Sequence, residues 1–318
     1  MAALVAEAEA AVEGMADRRL GTALAVAGAA GAGLAWALAE AHWYALRQAT
    51  VPVLPPGSAP LRVLHLSDLH LTPRQDGKIE WLRGLAALEP DLVIDTGDNF
   101  ADPDGLPALL FALEPLLELP GAFVMGSNDY YAPKPKNPLR YLTPDARHPE
   151  RELVRQPAEE LVAAFTAAGW ADLDNRRDTV TAGGRSIALV GVDDPHIGRD
   201  AFPGPDQAAS GADLRLGVTH APYRRVLDAM AGDGCDLILA GHTHGGQLCL
   251  PGVGALVTNC DLDRGRAKGL HGWPGPRPDE GGTDSTWLHV SAGLGTSPYA
   301  PVRFACRPEV TLLTLVPA

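Results

Sequence analysis

Five apolar runs along the chain each end in residues able to hold a metal ion. VLHLSDLH ends in Asp68 and His70, LVIDTGDN in Asp98 and Asn99, FVMGSND in Asn128 and Asp129, RLGVTH in His220, and LILAGHTH in His242 and His244. One Asp or His at such a place is ordinarily a turn former or a hydrogen-bonded imidazole. Five such endings together, with Asp-x-His and His-x-His pairs among them, suit the gripping of adjacent ions. The set mixes carboxylate, imidazole and amide and has no thiolate, a donor chemistry that suits Mn²⁺, Fe, Zn²⁺ or Mg²⁺. It also offers more donors than one tetrahedral ion uses, so two divalent metal ions are expected. Asp98, placed after Gly97 where backbone can crowd close, is the carboxylate able to bridge ions about 3.5–4 Å apart.

Residues that end different strands converge when those strands share the carboxyl edge of an open α/β sheet. From Leu61 onward the pattern supplies such strands at Arg62–Leu66, Leu92–Asp95, Ala122–Met125, Leu214–Val218, Leu237–Leu239, Trp287–Val290 and Val310–Leu315. Between them Trp81–Leu88, Leu106–Leu117 and Pro157–Ala168 read as helices. Thr179–Thr181 and Ser186–Val190 flank Gly183-Gly184 as a hairpin. Tyr131–Arg151 and Asp261–Thr283, rich in Pro, Gly and charge, are expected to be long loops belonging to a site.

The 318 residues carry 26 Lys+Arg against 39 Asp+Glu, a net charge of −13. Nucleic-acid binding is therefore disfavoured, because affinity for a phosphate backbone rests on clustered cations. The four cysteines form no Cys-x-x-Cys pair, so buried free thiols are expected, with two disulfides as the alternative for an exported chain. Gly21–Ala39 is uncharged and as a helix would span about 28 Å against a bilayer core of about 30 Å. Its Ala and Gly content makes length a better argument for insertion than hydropathy. Three readings stand: an uncleaved single-pass anchor, a cleaved signal, or a soluble Ala-rich helix. Arg18-Arg19 before the run and Ala37-Leu38-Ala39 at its end suit the signal. The anchor and the signal place the catalytic domain outside the cytoplasm, and the soluble helix leaves it inside. Residues 51–60, VPVLPPGSAP, are expected as an extended linker between an extension over 1–50 and a catalytic domain over 61–318.

The order Asp68-x-His70, Gly97-Asp98, Gly126-x-x-Asp129, His220 and Gly241-His242-x-His244 resembles the calcineurin-like metallophosphoesterase superfamily from about Leu61 to the carboxyl terminus. Gly241-His242-Thr243-His244-Gly245-Gly246-Gln247 and the stretch from Gly293 through Arg303 resemble its small bacterial, membrane-associated phosphodiesterase branch. The resemblance implies an α/β fold, a four-layer α/β/β/α sandwich with the metals at one edge. It implies that Asp68, His70, Asp98 and His244 hold the first metal, and Asp98, His220, His242 and an amide the second. It further implies hydrolysis of phosphodiesters or pyrophosphate links, in small-molecule or lipid substrates, by a hydroxide bridging the metals.

The sequence departs from the family at one place. Members usually read Gly-Asn-His-Asp where this chain has Gly126-Ser127-Asn128-Asp129. Either Asn128 slides in as the second-metal ligand, or Ser127 or a water fills that place. In both cases the usual proton donor to the leaving group is missing, a loss worth about 10²–10⁴-fold and felt chiefly by basic alkoxide leaving groups. His196, in Val192-Asp193-Asp194-Pro195-His196, is the candidate replacement if its loop folds over the metals, and otherwise a surface histidine. Two other functions remain in view: a nuclease built on the same metal core, and a metal-binding envelope protein of low turnover.

Overall fold

The alternation of side chains along the strands fills two separate apolar layers. In the computed structural model, which describes residues 1–135, 154–204 and 211–318, one sheet contains β1 (Ala45–Leu54), β2 (Leu61–Leu66), β3 (Leu92–Asp95), β4 (Gly121–Phe123), β5 (Ala171–Asp172) and β14 (Glu309–Pro317). Their order is β1-β14-β2-β3-β4-β5. The second sheet contains β6 (Arg177–Ala182), β7 (Arg185–Val192), β8 (Leu214–Thr219), β9 (Leu237–Ala240), β12 (Gly269–Trp273) and β13 (Thr286–Val290), in the order β12-β13-β9-β8-β7-β6. A small hairpin pairs β10 (Cys249–Leu250) with β11 (Gly254–Ala255). Val63, Ile94, Leu313 and Leu315 of the first sheet meet Ile187, Leu189, Leu216, Val218, Leu239 and Trp287 of the second in one buried cluster. Their neighbours Leu64, Leu66, Val93 and Leu312 point the other way, as the two-residue period of a strand requires. They pack on helices α2 (Asp76–Arg83), α3 (Leu106–Leu117) and α5 (Ala158–Ala167) through Leu82, Leu113 and Phe165. On the far side Ile238, Leu288 and Val290 pack on Val226, Leu227 and Met230 of α6 (Arg224–Gly232). The layers thus run α/β/β/α, as the resemblance implies.

Three sequence expectations need correction. Val51–Leu54 belongs to no linker; it completes β1, which pairs in parallel with β14 and buries Val51 and Leu54. Pro52 cannot donate to a ladder, but β1 is an edge strand, where that loss is tolerated. The stretch 261–283 is not all loop, because Gly269–Trp273 forms β12 against β13; its two glycines hide the alternation. The helix expected at Trp81–Leu88 begins earlier, at Asp76, and continues past Arg83 as a 3₁₀ segment, Gly84–Leu88. Most of the loop expected at Tyr131–Arg151 lies outside the described residues.

Helix α1 runs over Ala2–Glu40, and its part Arg19–Glu40 is long and apolar enough to cross a bilayer. Leu24, Val26, Leu34 and Trp36 are exposed along it. Among its described side chains, those of the last turn, Ala37 and Glu40, are buried in the domain. There Arg303 N donates to Ala37 O at 2.9 Å, while the buried Glu40 carboxylate accepts from Cys306 N at 2.7 Å and Ala305 N at 3.1 Å. Glu40→Ala, which leaves two backbone N–H groups without their partner, is expected to cost about 1–3 kcal/mol. Removal of residues 1–30 is expected to change stability by less than about 1 kcal/mol. Denaturant titration of both variants in detergent checks the contrast.

Candidate metal centre

Every donor residue read from the sequence lies just past the carboxyl end of a strand. Asp68 and His70 follow β2, Asp98 follows β3, His220 follows β8, and His242 and His244 follow β9. Asn128 lies after β4 in α4 (Ser127–Tyr130), a single turn. Backbone bonds between these loops hold them in register: Asp68 N to Gly97 O at 2.8 Å, His70 N to Asp98 O at 3.0 Å and Gly241 N to His220 O at 2.8 Å. Left-handed backbone is the result. Asp68, His70, Asp98, His242 and His244 have φ of 48°, 41°, 57°, 68° and 49°. An L-residue resists this region by about 1–2 kcal/mol, so five together mark a place where local comfort yields to geometry. Glycine is required beside them. A Cβ on Gly126 would overlap the Asp98 carboxylate and the His220 ring.

The side chains form two clusters that meet at Asp98. In the first, Asp68 Oδ1 lies 3.4 Å from His244 Nε2 and 4.0 Å from His70 Nε2, and the two nitrogens are 3.2 Å apart. In the second, His220 Nε2 lies 3.3 Å from His242 Nδ1. Asp98 turns Oδ2 to His70 at 3.4 Å and Oδ1 to His220 at 3.6 Å. Ligand atoms of Asp68, His70 and His244, and again of Asp68, Asp98 and His220, lie within 4.8 Å of one another. The outward nitrogens are held by backbone: His220 Nδ1 donates to Thr96 O at 2.7 Å and His242 Nε2 to Asn259 O at 3.2 Å, so His220 Nε2 and His242 Nδ1 are the nitrogens turned inward. Buried Asp68 Oδ1 has no hydrogen-bond partner. An orphaned carboxylate oxygen facing imidazole nitrogens is what a divalent cation satisfies, so the residues fit a metal.

A family model described as calcineurin-like phosphoesterase matches residues 61–246. The chain belongs to that family. Among its relatives, phosphodiesterase YaeI of Escherichia coli is 28% identical over 285 residues, covering 87% of this chain and 90% of that one. The Bacillus subtilis metallophosphoesterase YkoQ is 28% identical, covering 80% of this chain and 84% of that one. A bovine protein named transmembrane protein with metallophosphoesterase domain is 28% identical over 83% of this chain and 55% of its own length. Among solved structures, a Thermus thermophilus 5'-nucleotidase precursor superposes with a TM-score of 0.42 at 16% identity, covering 80% of this chain and 55% of that one. The protein is a metallophosphoesterase.

In this calcineurin-like phosphoesterase Asp129 and Arg303 carry roles that sequence reading did not assign. Buried Asp129 is not turned to the clusters; its carboxylate accepts from Asp98 N at 2.8 Å, Asn99 N at 2.7 Å and Gly126 N at 2.9 Å. It clamps the Asp98 loop to the loop of the variant pair. Its place in the Gly126-x-x-Asp129 motif was visible, but its three donors are backbone, which no residue type announces. Asn128 lies on the bridging carboxylate, its N donating to Asp98 Oδ1 at 2.7 Å and its Nδ2 to Oδ2 at 2.6 Å. Half-buried Ser127 opens the same turn. Buried Arg303 donates to His244 O at 2.7 Å, and its guanidinium lies 3.1 Å from His244 Nδ1, backing that ring from behind. The loop of His196 folds over the second cluster: its ring centroid lies 4.4 Å from that of His242, and its Nδ1 3.1 Å from the Tyr223 hydroxyl. His65 is buried between the sheets, bonded to His289 at 2.9 Å and Thr96 Oγ1 at 3.1 Å.

Charge in the centre is set by burial against neighbours. Burial opposes protonation of His220, yet the carboxylates of Asp98, Asp194 and Asp68 outweigh it and push its pKa up to about 10. Burial pushes Asp68 up to about 6. For Asp98 burial works upward too, but His220, His70 and the Asn128 bonds bring it down to about 2. Burial pulls His70 down to about 4 and holds His242 and His244 well below the usual histidine value. An imidazolium at His220 therefore serves as the cation of the metal-free protein. Its pKa is raised on folding, so its contribution to stability is complete below pH 6.5 and lost as pH rises through about 10. A metal ion must displace that proton. Mn²⁺ uptake at pH 7 is expected to release about one proton per His220 engaged, read by titration calorimetry as a heat that changes with buffer ionisation enthalpy; a buffer-independent heat contradicts the assignment.

Proposed function

We propose that the protein hydrolyses phosphodiesters or pyrophosphate links at a dinuclear centre. Asp68, His70, Asp98 and His244 hold one divalent ion, of the Mn, Fe, Zn or Mg type, and Asp98, His220, His242 and Asn128 the other. The observation that carries this is the division of the Asp98 carboxylate, with one oxygen toward each cluster at 3.4 and 3.6 Å. Ions bound there would lower the pKa of a water and neutralise phosphoryl oxygens. The remaining work belongs to the chain. Asp98 sets the separation of the clusters, Thr96 O and Asn259 O orient His220 and His242, and Asp129 fixes the backbone that carries Asp98. Asn128 has no proton of useful acidity, so it holds the carboxylate and leaves the departing oxygen unprotonated. His196, half-buried over His242, is the group placed to hold a proton near that oxygen. The E. coli relative's name supports a phosphodiester substrate.

The amide at position 128 also supports a second reading, a metal-binding envelope protein with little turnover. A net charge of −13 disfavours the nuclease reading. The apolar stretch Arg19–Glu40 and the bovine transmembrane relative support a single-pass membrane protein, and we place its catalytic domain outside the cytoplasm.

Turnover decides between enzyme and metal carrier. Protein stripped with a chelator and reloaded with Mn²⁺ is expected to cleave bis(p-nitrophenyl) phosphate, and simple alkyl monoesters about 10²-fold or more slowly. Asn128→His should narrow that gap and His196→Ala widen it. Asp98→Asn should abolish both activities, since two cations about 4 Å apart then lose the charge that offsets their repulsion. Metal uptake without turnover of either ester supports the carrier instead. Equal rates for aryl and alkyl esters, with chemistry rate-limiting, show that a proton donor other than these residues is at work.

A further inference from the structure

Apolar side chains gather on one side of the metal centre and, among the described residues, stay exposed. In the hairpin of β10 and β11, Val253 is 72% exposed and Leu248 and Leu250 are about half exposed, at 45% and 49%. The hairpin follows directly on the His244–Gly246 turn. It lies along the segment 299–306: Leu248 bridges Phe304, Cys249 N donates to Phe304 O at 2.9 Å, and Gln247 Nε2 donates to Ala300 O and Val302 O at 2.9 and 3.1 Å. That segment carries exposed Tyr299 and also Arg303, the residue that grips His244.

The same segment is where α1 lands, through Ala37 and Glu40. Exposed Trp36 and Trp43 flank the landing and meet edge to face at 6.2 Å. The Arg307 guanidinium lies 4.1 Å over the Trp43 ring and donates to Trp43 O and Tyr44 O at 2.9 Å. Aromatic rings and a cation at the end of a long apolar helix are the chemistry of the bilayer–water boundary. Because the last helical turn is bonded into the domain, the hairpin keeps a fixed place relative to the helix.

We propose that Leu248, Leu250, Val253 and Tyr299, joined through the segment 299–306 to the landing of α1 with its Trp36 and Trp43, form a second membrane-contact surface that rests in the bilayer α1 enters. The metal centre is thereby seated on that bilayer and takes phosphoesters presented at its surface. The occupant is the lipid interface itself, argued from continuity with the apolar helix, and the inference rests on the phosphoesterase and anchor readings above.

The test uses the full chain reconstituted in phosphatidylcholine–phosphatidylglycerol vesicles. Val253→Cys is labelled with an environment-sensitive fluorophore, and the wild-type chain carried through the same labelling is the blank. Emission from residue 253 is expected to shift to the blue and to be quenched by spin-labelled lipid. Leu250→Glu with Val253→Glu is expected to lower cleavage of hexadecyl p-nitrophenyl phosphate embedded in the vesicles about tenfold or more, while cleavage of bis(p-nitrophenyl) phosphate in water stays unchanged. Emission that stays water-like and unquenched overturns the proposal. So does equal loss on both esters, a chain that does not sediment with vesicles, or a label shielded only as protein concentration rises, which marks a second copy as the occupant. If the wild type cleaves neither ester, the phosphoesterase reading fails, and the quenching result alone still decides the membrane contact.

Discussion

One carboxylate has to face two ways. Asp98 offers an oxygen to each of two clusters whose other members come from both sheets, and nearly everything around the centre can be read as the means of holding it there. Its loop takes a left-handed turn after Gly97, crosses close to Gly126, and is pinned from below by the three hydrogen bonds of Asp129. An error of an ångström in this loop would separate the clusters, because the carboxylate has no length to spare.

Two sheets packed face to face through apolar side chains do not by themselves align their edges to that tolerance. Polar bonds between their loops complete the alignment. Thr96 of the first sheet accepts from His220 of the second, His242 N donates to Asp68 Oδ2 at 2.9 Å, and Leu294 N donates to Ser67 O at 3.1 Å. Deeper in, the His65–His289 bond crosses the apolar interior and returns to Thr96. Removing either ring would leave the other polar group buried without a partner, so this pair acts on the register of the sheets rather than on any reacting atom.

The donors were legible because they are chemically uncommon at the ends of apolar runs, and position after position repeats the theme from Asp68 to His244. The strands bearing them were legible for a related reason: parallel strands buried on both faces read as unbroken Val, Ile and Leu. What escaped was structure whose signal lies in the backbone or in distant pairing. β1 was hidden by Pro52, which is compatible with a strand only at an edge that the sequence does not reveal. β12 was hidden by Gly269 and Gly272, and it exists because β13 offers it a ladder. Asp129 looked like one more acid in a motif, while its work is done on N–H groups that every residue possesses. The position of His196 over His242 depends on Asp194 accepting from His196 N and on Arg225 reaching Pro195 O, contacts that no local pattern encodes.

The Asp129 clamp has a consequence for how this loop can change over time. Its hydrogen bonds run to backbone, so the shape of the turn does not depend on which side chains sit at Ser127 and Asn128. Shape and chemistry are therefore separable along four adjacent residues: one acid maintains the turn, and the two positions before it are free of that task. A mutation there leaves the hydrogen bonds of Asp129 in place, which makes this short stretch a place where the chemistry of the centre can change by single steps.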